Sequence, residues 1–239
     1  MNHHPPAQFN KELWLTPISI ILGSLIIAWS IQTDTQTTSS KLVTTTSTIT
    51  NTAPSANLKN IRPISPSDHV LGNRNAKIVL VEYSDTECPY CKTYHKSLHQ
   101  LVDVYGNDIA WVYRHNPLDI HPKAQKEAEA LECAAELGGN EKFWAYIDRL
   151  FEVTPSNNRL DLAELPKIAT YVGLNEKTFN DCLASGKHAA RVLKDQKEIK
   201  EAGQTGTPSS VLMTKSGNMG IRGAVSYESL ESKIKEALK

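Results

Sequence analysis

Residues 77–83 (KIVLVEY) form an apolar, β-branched run that stops a few residues before Cys88-Pro89-Tyr90-Cys91, and that CPYC segment opens a helical pattern. No other feature restricts the chain as much. The run suits a buried central strand. Residues 89–105 read as the helix, with Gly106 and Asn107 as its stop signal. A cysteine at a strand-to-helix junction meets unpaired backbone N–H groups and the positive end of the helix dipole, both of which favour a thiolate. Proline costs nothing at the first helical position, because its missing N–H would have been an orphan donor. The two-residue spacer lets Cys91 reach back to Cys88, to close a disulfide or to resolve a mixed one.

Further along, residues 109–114 (IAWVYR) predict a second strand, and residues 121 to about 202 predict a long helical stretch. That stretch is punctuated by Gly138-Gly139-Asn140, by residues 155–158 (PSNN), by Gly173 and by Ser185-Gly186. Residues 209–214 (SSVLMT) and 220–223 with their flanks suggest a β-hairpin, and Ser226 is placed to cap a final helix ending near Leu238. The order is strand, helix, strand, helical block, two strands, helix, which is an α/β arrangement. The aromatic cluster Phe143, Trp144, Tyr146 and Phe151, with Ile147 and Leu150, has helical spacing and reads as core of the helical block.

A lone CxxC can also be half of a zinc site. His95 and His99, one turn apart on the same helix, are the available nitrogen ligands, but they run away from the cysteines at the helix start. No second CxxC exists. The redox reading is preferred, and neither metal nor cofactor is expected.

Gly206-Thr207-Pro208, just before a predicted strand, is a weak signal alone. Together with VEYSDTECPYC, WVYRHNPL, EAEALECAAELGGNEKFWAYIDRLF and QTGTPSSVL, in that order, it makes residues 67–238 resemble the DsbA-like branch of the thioredoxin superfamily. The resemblance implies a thioredoxin fold with a helical insertion (about 121–203) between the second strand and the strand led by a cis-proline. It implies that Cys88 is the nucleophile and Cys91 the resolving thiol. Thr207 and Pro208 would line a substrate groove beside Pro89 and Tyr90. Glu82 and Asp85 are candidates for tuning proton movement, against the plainer reading of a solvated strand end. His115, in the loop 114–118, is a candidate neighbour of Cys88. The family also implies a structural disulfide between Cys133 and Cys182, the alternative being two buried free thiols.

On this resemblance the expected function is an extracytoplasmic thiol-disulfide oxidoreductase, a monomer that donates its disulfide to thiol-bearing exported proteins. A quinone-linked membrane protein, of the DsbB or the vitamin K epoxide reductase type, would reoxidise it. A reductase using the same site, and a non-catalytic peptide-binding module, are the alternatives.

The N-terminal part fits export. Residues 1–12 form a short polar leader, expected in the cytoplasm, and residues 13–31 (LWLTPISIILGSLIIAWSI) are uncharged over about 19 positions, the length a bilayer core requires. Trp14 and Trp29 stand near its ends, where such rings favour the interface. An anchor is preferred over a cleaved signal peptide, although Ala28 and Ser30 are compatible with a peptidase site. Residues 32–60 are dominated by Thr and Ser and read as a disordered stalk, leaving 61–239 as the folded domain facing the periplasm or extracytoplasmic space. The formal net charge is zero, which gives no electrostatic footprint for nucleic acid.

Overall fold

Ile78–Ser84 (β2) has burial on both faces, which explains why its sequence is a near-continuous apolar run rather than an alternating one. It lies in the middle of a five-stranded sheet ordered β1-β3-β2-β4-β5 in the computed structural model, which describes residues 58–239. The strands are His69–Gly72 (β1), Ile109–His115 (β3), Ser209–Thr214 (β4) and Gly217–Arg222 (β5). β2 runs parallel to β3, with Leu80 opposite Trp111, and antiparallel to β4, with Glu82 opposite Ser210. The leader, the apolar segment 13–31 and nearly all of the stalk lie outside the described residues. Among the described residues, no helix is long and apolar enough to cross a membrane.

Alternate side chains along the strands feed two cores. Leu80, Trp111, Tyr113 and Leu212 point to one face, where they meet Tyr94, Leu98 and Leu101 of Pro89–Tyr105 (α1) and Leu230 and Ile234 of Tyr227–Ala237 (α6). Val81, Tyr83, Val112 and Val211 point to the other, against Ile199 of Ala189–Glu201 (α5). Each fully buried side chain of this size contributes about 1.5–3 kcal/mol relative to exposure. Leu58–Asn60, assigned by sequence to the end of the stalk, makes a 3-10 turn with Leu58 buried in this second core. The second core also holds a buried charge network. Arg114 of β3 donates to Asp68 at 3.0 Å, to Glu198 at 3.1 Å and to the hydroxyl of Tyr83 at 3.1 Å.

The helical insertion consists of Ala124–Val153 (α2), Glu164–Tyr171 (α3), Glu176–Ser185 (α4) and α5. Its aromatic residues Phe143, Trp144, Tyr146 and Phe151 are buried. At the expected break, Gly139 (φ 71°, ψ −165°) leaves the helical conformation and divides α2 into two helical halves meeting at a kink, a conformation that suits glycine. The kink delivers Asn140 to the outer edge of β1. There its side chain accepts from Val70 N at 2.9 Å and donates to Val70 O at 2.8 Å. β1 itself is an addition to the expected order, since four residues that include His69 and Gly72 carry no alternation to detect. Cys133 of α2 and Cys182 of α4 are joined by a disulfide across a sequence separation of 49.

Candidate active site

The loop leaving β2 places Cys88 as the N-cap of α1 in extended conformation, with Pro89 at the first helical position. No side chain caps this helix end, so its backbone donors remain available to the sulfur. Cys88 Sγ lies 3.5 Å from the carbonyl oxygen of Thr207, which precedes Pro208 across a cis peptide bond at the start of β4. Both cysteines are free thiols here, and both are buried, Cys91 entirely and Cys88 to 4% exposure. Tyr90, between them, is 68% exposed.

The two thiols are electrostatically unlike. The Cys91 thiol beside Cys88, helped by the backbone N–H groups of Tyr90 and Cys91, outweighs partial burial and brings Cys88 down to about 6. Burial pushes Cys91 well above the ordinary thiol range, and the charges of Cys88 and Glu82 push the same way. This is the division a helix N-terminus imposes on such a pair: one sulfur is a thiolate near neutrality, the other keeps its proton.

Glu82 is fully buried in β2, not at a solvated strand end. Trp111 Nε1 donates to its Oε2 at 3.0 Å, while Oε1 has no hydrogen-bond partner among the described residues. Burial raises its carboxyl to about 7, against the opposing hydrogen bond from Trp111. Because its charge acts on Cys91, it can hold or release a proton there.

Asp85 is placed differently. It accepts from Glu87 N and Leu118 N, each at 2.8 Å, and its Oδ2 lies 2.9 Å from His121 Nδ1. It braces the loop that presents Cys88. His115 is turned into a buried cluster, with Nε2 2.7 Å from Glu132 Oε1, and no hydrogen bond joins it to either thiol. This pairing supplies the polar partner that a carboxylate in the apolar interior of α2 requires.

Sequence reading missed the acidic residues directly before and across from the motif. Glu87 accepts from Asn158 N at 2.6 Å, and the Glu87 carbonyl accepts from Asn157 N at 2.7 Å. Residues Ser156, Asn157 and Asn158 all have positive φ, which wraps their loop around Glu87. Glu127 of α2 faces Glu87, and burial with that second carboxyl raises it to about 8. The three consecutive positive-φ positions fall in the PSNN turn signal, which announced a loop but not its partner.

His95 and His99 do not approach the thiols through any hydrogen bond. Both converge instead on Asp148 of α2.

The thioredoxin family model matches residues 65–236. Among solved structures, DsbA2 of Pseudomonas aeruginosa is 28% identical with a TM-score of 0.61, over 72% of this chain and 96% of that one. BdbD of Bacillus subtilis, in its oxidised form, has a TM-score of 0.63 at 20% identity, over 77% of this chain and 96% of that one, a likeness of fold. A curated sequence relative, the Na(+)/H(+) antiporter NhaA 3 of Salinispora tropica, is 37% identical over 148 residues. That match covers 61% of this chain and 22% of the antiporter, so the chain spans under a quarter of that relative's length.

Proposed function

The chain belongs to the thioredoxin family, and from that membership and its DsbA-like architecture we propose that it is a thiol-disulfide oxidoreductase working as an oxidase. What supports the direction is the placement of Cys88 at an uncapped helix N-terminus, which lowers its thiol, against the burial that raises Cys91. A stabilised Cys88 thiolate favours the reduced protein over its disulfide, which makes the disulfide a strong electron acceptor.

In the oxidised protein, a substrate thiolate attacks Cys88 Sγ, the sulfur at the helix start beside exposed Tyr90. The Cys88–Cys91 bond breaks, and Cys91 leaves with the electron pair. Buried Glu82, close to half protonated at neutral pH, supplies the proton that Cys91 requires. A second substrate thiolate then attacks the substrate sulfur of the mixed disulfide and expels Cys88. A thiol of low pKa leaves readily. The substrate loses two electrons and gains a disulfide, and the protein ends as the dithiol. An extended substrate segment would lie along Thr207 and Pro208, supported by the approach of the Thr207 carbonyl to Cys88, with Pro89 and Tyr90 beside it.

The apolar segment 13–31 would tether the domain outside the cytoplasm through the Thr/Ser-rich stalk, near a quinone-linked membrane protein that takes its electrons. Thiol-bearing exported proteins would be its substrates. Ion antiport is not carried over from the curated relatives, which extend far beyond the matched region.

The reduction potential of the Cys88–Cys91 pair, equilibrated with glutathione, tests the direction. A value toward about −120 mV is expected, and a value near about −270 mV would overturn the oxidase in favour of a reductase.

A further inference from the structure

Three donor atoms outside the redox site converge on one point. His95 Nε2 lies 2.7 Å from Asp148 Oδ1, His99 Nε2 lies 2.8 Å from the same oxygen, and the two ring nitrogens are 3.1 Å apart. We infer that His95, His99 and Asp148 form a binding site for one divalent transition-metal ion of the zinc class, with a further coordination position open to solvent.

The spacing of the histidines is the first argument. Positions four apart on α1 share one helix face, the arrangement by which a helix presents two imidazoles to one metal. Asp148 approaches from α2, so the ligands come from two helices and close over the ion from two sides.

The second argument is the crowding of the donors. Two imidazole nitrogens and one carboxylate oxygen crowd together with at most two protons among them, whereas a single cation takes all three lone pairs at once. Metal–nitrogen bonds of about 2.0–2.1 Å in tetrahedral geometry separate ligand atoms by about 3.3 Å. The observed separations need to open by only about 0.2–0.6 Å, a change that small side-chain rotations supply.

Pre-organisation is the third. His95 is buried and packed between aromatic rings, 5.1 Å from Trp111 and 4.8 Å from Phe151, so its ring is already held in place. His99 and Asp148 are partly exposed, with side-chain exposures of 32% and 46%, and they border an open cleft of about 590 Å³. Asp103 and Glu152 line the same cleft, one turn beyond His99 and Asp148. Lys92 and Lys96 also line the cleft, and Lys92 is drawn off to the carbonyl of Thr154 at 2.7 Å.

The donor set selects the metal class. Two imidazoles and one carboxylate suit zinc and its neighbours, while calcium and magnesium require mostly oxygen ligands. Three protein ligands with an open position is a pattern found where zinc also binds water or a substrate atom. The ion would join the helix that carries Cys88 and Cys91 to the helical insertion, using no thiol. The site is therefore independent of the redox reading.

The test uses the full chain purified in detergent, with Cys88–Cys91 oxidised so that neither thiol can bind metal. Zinc(II) is titrated in competition with a chromophoric chelator, beside His99→Ala and the near-isosteric Asp148→Asn. One tight equivalent is expected in the parent chain, with affinity at least tenfold weaker in each variant. Both variants alter partly exposed side chains, and unchanged melting curves in excess chelator confirm that they fold. Cobalt(II) on the parent chain should give visible d–d absorption without thiolate charge transfer. Absence of a stoichiometric equivalent in the parent, or affinity in both variants within twofold of the parent, would overturn the site.

Discussion

Trp111 Nε1 donates to Glu82 Oε2 at 3.0 Å in the interior of the sheet, and this single bond holds in place the carboxyl whose charge acts on Cys91. The indole can donate but never accept, so it supports Glu82 whether or not the carboxyl is ionised, and leaves Oε1 free for the proton.

Replacing Glu82 by Gln keeps the Trp111 contact and removes the titration. Reduction of the oxidised protein by a thiol peptide should slow at least tenfold at neutral pH, and its dependence on pH around 7 should flatten. Stopped-flow measurement of the reaction checks this.

The same substitution has a signature in stability. A carboxyl raised from 4.5 to about 7 on folding favours the native state while protonated, so that contribution is present below pH 4.5 and lost as pH rises through about 7. Relative to the parent, Glu82→Gln should therefore gain stability between pH 4.5 and 7, by up to about 3 kcal/mol, readable from urea melts at the two ends of the window.

Cys88 should react with an alkylating agent at a rate that is half-maximal near pH 6. Because the neighbouring thiol of Cys91 is the largest cause of that low value, Cys91→Ala should move the midpoint above about pH 7. Rapid-quench alkylation followed by mass spectrometry of intact protein measures both midpoints.

Much of this site was legible in the sequence, and the reason is local. A strand run, the CPYC turn and a helix stop are written within 31 consecutive residues, and observed α1 spans Pro89–Tyr105 as the pattern predicts. The roles of Asp85 and His115 were not legible, because each is set by a partner distant in the chain. Asp85 is fixed by Leu118 and His121, and His115 by Glu132. No periodicity encodes such meetings. Glu87 and Glu127 escaped for the same reason, since an isolated glutamate in a helical or turn pattern looks solvent-facing until the insertion folds over it.

The Cys133–Cys182 bond closes 49 residues of the insertion. Mutating both cysteines to Ala should cost up to about 4 kcal/mol of stability, the chain-entropy value for a loop of this length, while leaving the alkylation midpoint of Cys88 unchanged. Denaturant melts of the two proteins under non-reducing conditions test the first part, and the alkylation profile the second.

Arg114→Met should destabilise the domain by about 3 kcal/mol, because it removes the fully buried cation that pairs with Asp68 and leaves only Arg62, 3.5 Å away and partly exposed, to compensate that carboxylate. Thermal melts should show the loss. Leu193→Ala, at an exposed position on α5, serves as a control and should change little.

Val70 offers its N–H and its carbonyl outward from a strand only four residues long, and Asn140 takes both. Under the proposed function, an extended substrate segment could zip onto the protein's own sheet margin. With that margin sealed by an amide side chain, visiting polypeptides find no ladder to extend on the β1 side. Aggregation by strand addition is blocked there, and the insertion doubles as a guard rail for the sheet it interrupts.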